Sequence, residues 1–214
     1  FDACYAWPWS FTLRHAINPK TTTYGHVKRD ASLSEAMSRV RTYETKVPAG
    51  TYMFCFMDNH DTAPDDHENR FDRILPVEAG NVGFVLNFLR RGIALVFNGN
   101  EIADPAENSM FAAVEDTERP FRSVDWGRAL QPDGQKRLAL IRRLAELRHT
   151  ERVFQDGSQD WLDTTAPEKV SAFVRRGRGE TVLVVQNWTD AETDCEVKFD
   201  VPDNSIQSYI VVEG

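Results

Sequence analysis

Two uninterrupted apolar runs constrain this chain more than any other feature. Residues 52–57 read Tyr-Met-Phe-Cys-Phe-Met, and residues 93–97 read Ile-Ala-Leu-Val-Phe. A strand covered on one face alternates apolar with polar residues. A strand covered on both faces, as in a parallel sheet, does not. The first run stops at Asp58-Asn59-His60-Asp61 and the second at Asn98-Gly99-Asn100-Glu101. Between them, residues 82–89 read as a helix. Strand, polar loop and helix in that order make a β/α unit. Ligands of parallel α/β folds gather at the C-terminal ends of the strands. Both polar clusters therefore stand where a functional site is expected, although position alone names no substrate.

The remaining text divides in two. In residues 1–11 the aromatics Phe1, Tyr5, Trp7, Trp9 and Phe11, broken by Pro8, read as a strand end running into a loop. Ser32 followed three residues later by Glu35 is a capping box, and Leu33, Ala36, Met37, Val40 and Tyr43 continue from it at helical spacing. Pro48-Ala49-Gly50 ends that helix. Residues 138–147 carry a strong helical stripe of Leu138, Ile141, Leu144, Ala145 and Leu147. From about residue 151 the texture changes to short β-type runs at 170–174, 181–185, 196–199 and 206–212. Turn signals such as Arg178-Gly179 and Pro202-Asp203-Asn204 separate them. The expected organisation is an α/β part over 1–150 and an all-β part over 151–214.

A formal charge of −8 repels phosphate backbones, so nucleic acid is not an expected partner. No apolar run approaches the ~20 residues of a membrane-spanning helix. Cys4, Cys55 and Cys195 are too few and too scattered for a disulfide framework or a CxxC metal site, and Cys55 reads as a core residue. The opening Phe1-Asp2-Ala3, without Met or signal peptide, is expected to be the interior of a longer protein.

Met57-Asp58-Asn59-His60-Asp61, following an aromatic strand, resembles the Asn-His-Asp motif on the seventh strand of the α-amylase family of glycoside hydrolases. Residues 92–101, Gly-Ile-Ala-Leu-Val-Phe-Asn-Gly-Asn-Glu, look like that family's eighth strand, usually Gly-x-Pro followed by Tyr-x-Gly-x-Glu. Here Ala94 replaces the usual Pro. Phe1-Asp2-Ala3-Cys4-Tyr5 is similar to the segment at the sixth strand. The order and spacing of the motifs, more than any one of them, carry the resemblance over essentially the whole chain. It implies an α/β fold: the last three β/α units of a (β/α)8 TIM barrel, followed by a small antiparallel β-sandwich. It implies a retaining glycosidase acting on α-glucosidic bonds of starch-like glucans or oligosaccharides. The family's nucleophilic Asp and general-acid Glu lie on earlier strands, so by this resemblance both would precede Phe1, and the N-terminal remainder of the protein would be a partner. Three strands of eight leave two open sheet edges, so self-association is the other expectation for these residues alone.

The resemblance assigns Asp61 to the catalytic set, as the carboxylate that binds sugar hydroxyls and steadies the distorted ring. His60 would donate to a hydroxyl at the same subsite. Asn59 either contacts substrate or only braces the turn. Tyr5, Trp7 and Trp9 are candidates for stacking on sugar rings or for packing the barrel rim. Arg70 is a candidate subsite contact, and the rest of the charge run 65–73 reads as a solvated loop. Glu101 and Asp2 read as structural. No cofactor is implied. His60, Asp61, Asp65, Asp66 and His67 are metal-ligand types; HExxH-type spacing is absent, which leaves a structural calcium open and a metal hydrolase as a second rival reading. A non-catalytic sugar-binding or interaction protein on the same barrel is the first rival reading.

Overall fold

The computed structural model describes residues 2–17, 32–60, 62, 70–106 and 123–200. Three strands, β1 (Ala3–Tyr5), β2 (Tyr52–Phe56) and β3 (Ile93–Leu95), form a parallel sheet in the order β1-β2-β3. Ala3 lies opposite Tyr52, and Phe54 lies between Tyr5 and Ile93. Both apolar runs are thus strands, as their composition predicts, each shorter than the run itself.

The helical residues after β1 correct one expectation. Residues 7–17 are a helix, α1 (Trp7–Ile17), where the sequence reads as a loop. Pro8 falls in its first turn, where a missing N–H costs nothing because that N–H has no intrahelical partner. Ala6 O accepts the first helical bond, from Ser10 N at 3.2 Å. Helix α2 (Leu33–Thr45) begins as predicted, with the Ser32 hydroxyl accepting from Glu35 N at 3.3 Å. Four-residue α3 (Phe71–Ile74) precedes α4 (Val77–Leu89). Helix α5 (Pro132–Thr150) starts two turns before its apolar stripe becomes visible.

One face of the parallel sheet is packed and the other is partly open. Met53 and Cys55 point into a core shared with Trp9, Leu13, Met37 and Leu86. Cys55 is fully buried, as expected, and burial pushes its thiol up to about 11 against the lowering effect of Arg90. On the opposite face Tyr5, Tyr52 and Ile93 are 46%, 38% and 39% exposed. The uninterrupted apolar text predicts two covered faces. Among the described residues the second face is covered only in part: Phe56 is buried there beneath Tyr5 and Trp7, while Tyr5, Tyr52 and Ile93 stay exposed.

A short α6 (Arg152–Gln155) leads into β4 (Ser158–Leu162), β5 (Val170–Gly177) and β6 (Glu180–Asn187), an antiparallel sheet in that order. Arg178 and Gly179, both at positive φ, close the β5–β6 hairpin, the turn geometry that matches strand twist. The run 196–199 contributes only an isolated bridge between Thr164 and Val197, and 206–212 lies outside the described residues. The strands seen are three in one sheet, where a β-sandwich is expected.

This second sheet is bonded to the first layer. Fully buried Arg175 donates to Leu89 O at the end of α4 (2.9 Å), and to Gly157 O and Ser158 O. Burial and the nearby Arg148 and Arg90 cations lower its pKa to about 10. Trp161 Nε1 donates to Glu44 of α2 at 2.5 Å, and Gln186 donates to Val82 O of α4 at 2.9 Å. No helix among the described residues is long and apolar enough to cross a membrane.

Candidate functional site

The C-terminal ends of the three parallel strands lie side by side, so the segments after Tyr5, Phe56 and Leu95 form one rim. Asp58 is the hub beneath it. Its fully buried carboxylate accepts from Phe71 N at 2.8 Å and from Asn100 Nδ2 at 2.7 Å. Arg14 of α1 and Arg70 stand 3.7 and 3.8 Å from its two oxygens. Asp58 thereby ties the loop after β2 to the loop after β3, to α1 and to the start of α3. An ionised carboxylate in the interior demands this many partners, since an unpaired one would neutralise instead.

A second buried carboxylate adjoins it. Asp72 accepts from Arg137 at 2.9 and 3.3 Å, and Asn100 Nδ2 reaches it at 3.5 Å. Arg137 also donates to Asn100 O, Val77 O and Asn81 Oδ1. Burial raises the Asp72 carboxyl above its ordinary value, and the Arg137 cation works against that rise. Gly80 leaves the space this guanidinium needs, because a Cβ there would lie 2.5 Å from Arg137 Nη2. Asp58 and Asp72 share the Asn100 amide, and both are paired with buried arginines. Their role is to hold the rim.

The solvated-loop reading of the rest of 65–73 is therefore corrected at Phe71 and Asp72, which are buried, and Arg70 beside them is buried too. Arg70 donates to Asn98 O (2.9 Å) and Ala106 O (3.2 Å), and its guanidinium lies over the Phe97 ring. These bonds direct it at the β3 loop. Asn59 and Thr62, 1% and 0% exposed, bond reciprocally. Asn59 N donates to Thr62 Oγ1 and Thr62 N donates to Asn59 Oδ1, both at 2.9 Å. His60 sits exposed between them. Asp61 lies outside the described residues, as do Asp65, Asp66 and His67. Among the described residues no three His, Cys, Asp or Glu side chains converge on a metal.

Tyr5 and Trp7 belong to an aromatic patch on the open face. Tyr5 meets Phe54 and Phe56 edge-on with centroids 5.2 and 5.7 Å apart, and Trp7 stacks on Phe11 at 5.6 Å. Trp9, by contrast, is fully buried in the core, so it presents no ring to a ligand. Glu101 Oε2 accepts from Gly99 N at 2.9 Å, bracing the β3 loop. Sequence reasoning missed Thr62, Asn100 and Arg137. Only Arg137 left a signal: it occupies the same helical stripe as Leu140, Ile141 and Leu144.

No protein-family model matches the sequence, and no curated protein matches it. Solved structures do. The maltogenic α-amylase AmyB of Thermotoga neapolitana superposes with a TM-score of 0.72 at 23% identity, over 93% of this chain and 41% of that one. This chain has the fold of part of an α-amylase. AmyP, solved in complex with maltose, matches at 0.67 and 13% identity over 88% of this chain and 40% of that one. A cyclomaltodextrinase matches at 0.62 and 17% identity over 87% of this chain and 28% of that one. The chain thus spans about two fifths of the length of AmyB and of AmyP. In the α-amylase fold seen here, the rim at the strand ends carries the Asn59-His60 segment on its middle strand.

Proposed function

We propose that these residues are the last three β/α units and the following β-domain of a retaining glycosidase that acts on α-glucosidic bonds of starch-like glucans or oligosaccharides. The supporting observation is the Asn59-His60 segment at the C-terminal end of the middle parallel strand, in a fold that superposes on α-amylases. The maltose complex of AmyP supports an α-linked oligosaccharide as the ligand. Retaining hydrolysis needs two carboxyl groups about 5–5.5 Å apart across the scissile bond. Asp58 and Asp72 are committed to buried arginines, and by the family resemblance the nucleophile and general acid would lie on strands preceding β1. Asp61 and His60 complete the subsite from this side, and Tyr5 and Trp7 supply apolar ring faces at its edge.

The test compares linkages and chain lengths. The intact protein should hydrolyse maltotriose and leave the β-linked cellotriose untouched. The 214-residue chain alone should turn over neither. Mutation-sensitive hydrolysis by the 214-residue chain would place the acid pair within it. Saturable maltotriose binding without hydrolysis by the intact protein would favour the sugar-binding reading instead.

A further inference from the structure

We propose that Thr62 is a positioning residue for His60, and that Asn59 serves as its partner in the turn rather than as a sugar contact. The inference rests on the glycosidase reading above and assigns work within that same site. The two side chains close the backbone around His60 from both ends. Thr62 Oγ1 accepts from Asn59 N at 2.9 Å and donates to Asn59 O at 3.4 Å, while Asn59 Oδ1 accepts from Thr62 N at 2.9 Å. Both residues are buried, so water does not replace these bonds when one is lost, and each orphaned group bears its full desolvation cost. His60 lies exposed between them. Its backbone is further anchored by Asp58, whose bonds to Phe71 N and Asn100 Nδ2 fix the residue just before the turn. An Asn59 side chain whose oxygen holds the turn has that acceptor already occupied. A hydroxyl that acts on substrate only by fixing a neighbour should leave a characteristic pattern. Its loss misplaces the histidine by a fraction of an ångström, and such misplacement weakens turnover more than binding.

The experiment uses the intact protein and the pair Thr62→Val and Thr62→Ser. Valine keeps the shape and removes the hydroxyl, and serine keeps the hydroxyl. T62V should lower kcat on maltotriose about tenfold or more with a much smaller change in KM, whereas T62S should stay within about threefold of the parent. In a His60→Ala background T62V should add less than about twofold, because a residue acting through His60 has nothing left to position. The imidazole carbon-13 NMR signals of His60, which need no activity, should move in T62V and hold in T62S. A T62V cost as large without His60 as with it, or an unmoved His60 signal in T62V, overturns the inference. Unaltered hydrolysis in H60A alone would instead remove His60 from the sugar subsite, a failure of the functional reading that the NMR signals keep separate.

Discussion

Asp61→Asn in the intact protein is expected to lower kcat on maltotriose by roughly a hundredfold to ten-thousandfold, corresponding to about 3–6 kcal/mol of lost transition-state stabilisation. The proposed role of this carboxylate is to accept hydroxyl hydrogen bonds that strengthen as the ring distorts and positive charge develops. An amide of the same shape keeps part of the ground-state binding and loses the charge. Affinity for maltotriose should therefore fall far less than kcat, the signature of an interaction made mainly in the transition state. Single-turnover kinetics beside equilibrium binding separates the two. Near-normal kcat in a folded D61N protein would reduce Asp61 to a loop residue.

Arg137→Met should produce the largest loss of stability among the residues under the rim, about 3–5 kcal/mol, the range for breaking a buried ion pair from one side. The change strands the Asp72 carboxylate in the core and leaves Asn81 Oδ1, Asn100 O and Val77 O without this donor. Adding Asp72→Asn removes the stranded charge, so R137M/D72N should be less destabilised than R137M. The pH dependence follows from the same geometry. Burial already raises the folded Asp72 value, and removing the cation that opposes the rise lifts it further. The folded state then binds its proton more tightly than the unfolded state. The penalty of R137M should be smallest below the already raised Asp72 value of the folded parent, and should grow as pH rises from there to the still higher value in the folded variant. Urea midpoints across the acid range measure it, and a pH-independent deficit would show that Asp72 does not carry the penalty.

The elements that announced themselves were those whose burial matches their chemistry. Ser32 and Glu35 set the start of α2, the Leu138–Leu147 stripe marks α5, and the apolar runs mark β2 and β3. What stayed hidden was burial of the wrong kind of residue. Arg70, Asp72 and Arg137 look solvent-facing in sequence, and their interior position depends on partners far away in the chain: Asn98, Asn100 and one another. Helix α1 was masked by Pro8 and a surplus of aromatics, both of which read as loop. Strand β4 was masked by its own text, Ser-Gln-Asp-Trp-Leu, whose hold on the fold comes from β5 and from Trp161 donating to Glu44. In the site, the motif drew attention to Asn59, His60 and Asp61. Thr62 carried no signal, because a threonine is ordinary anywhere and its bonds to Asn59 exist only in the folded turn.

The open sheet face bears most directly on whether these residues belong to a larger barrel. Tyr5, Tyr52 and Ile93 share that face with Phe54, and among the described residues β1 and β3 each pair on one side only. At ~25 cal/mol per Å² of apolar area, several such side chains left wet cost several kcal/mol, a large part of the roughly 5–15 kcal/mol that holds a typical domain together. The decisive measurement is amide hydrogen exchange over residues 52–56, made on the intact protein and on the 214-residue chain, with light scattering on the latter. The account predicts core-strand protection in the intact protein. In the shorter chain it predicts fast exchange, or protection that appears only as the chain self-associates. A monomeric 214-residue chain at low concentration, with residues 52–56 as slow to exchange as in the intact protein, would contradict it.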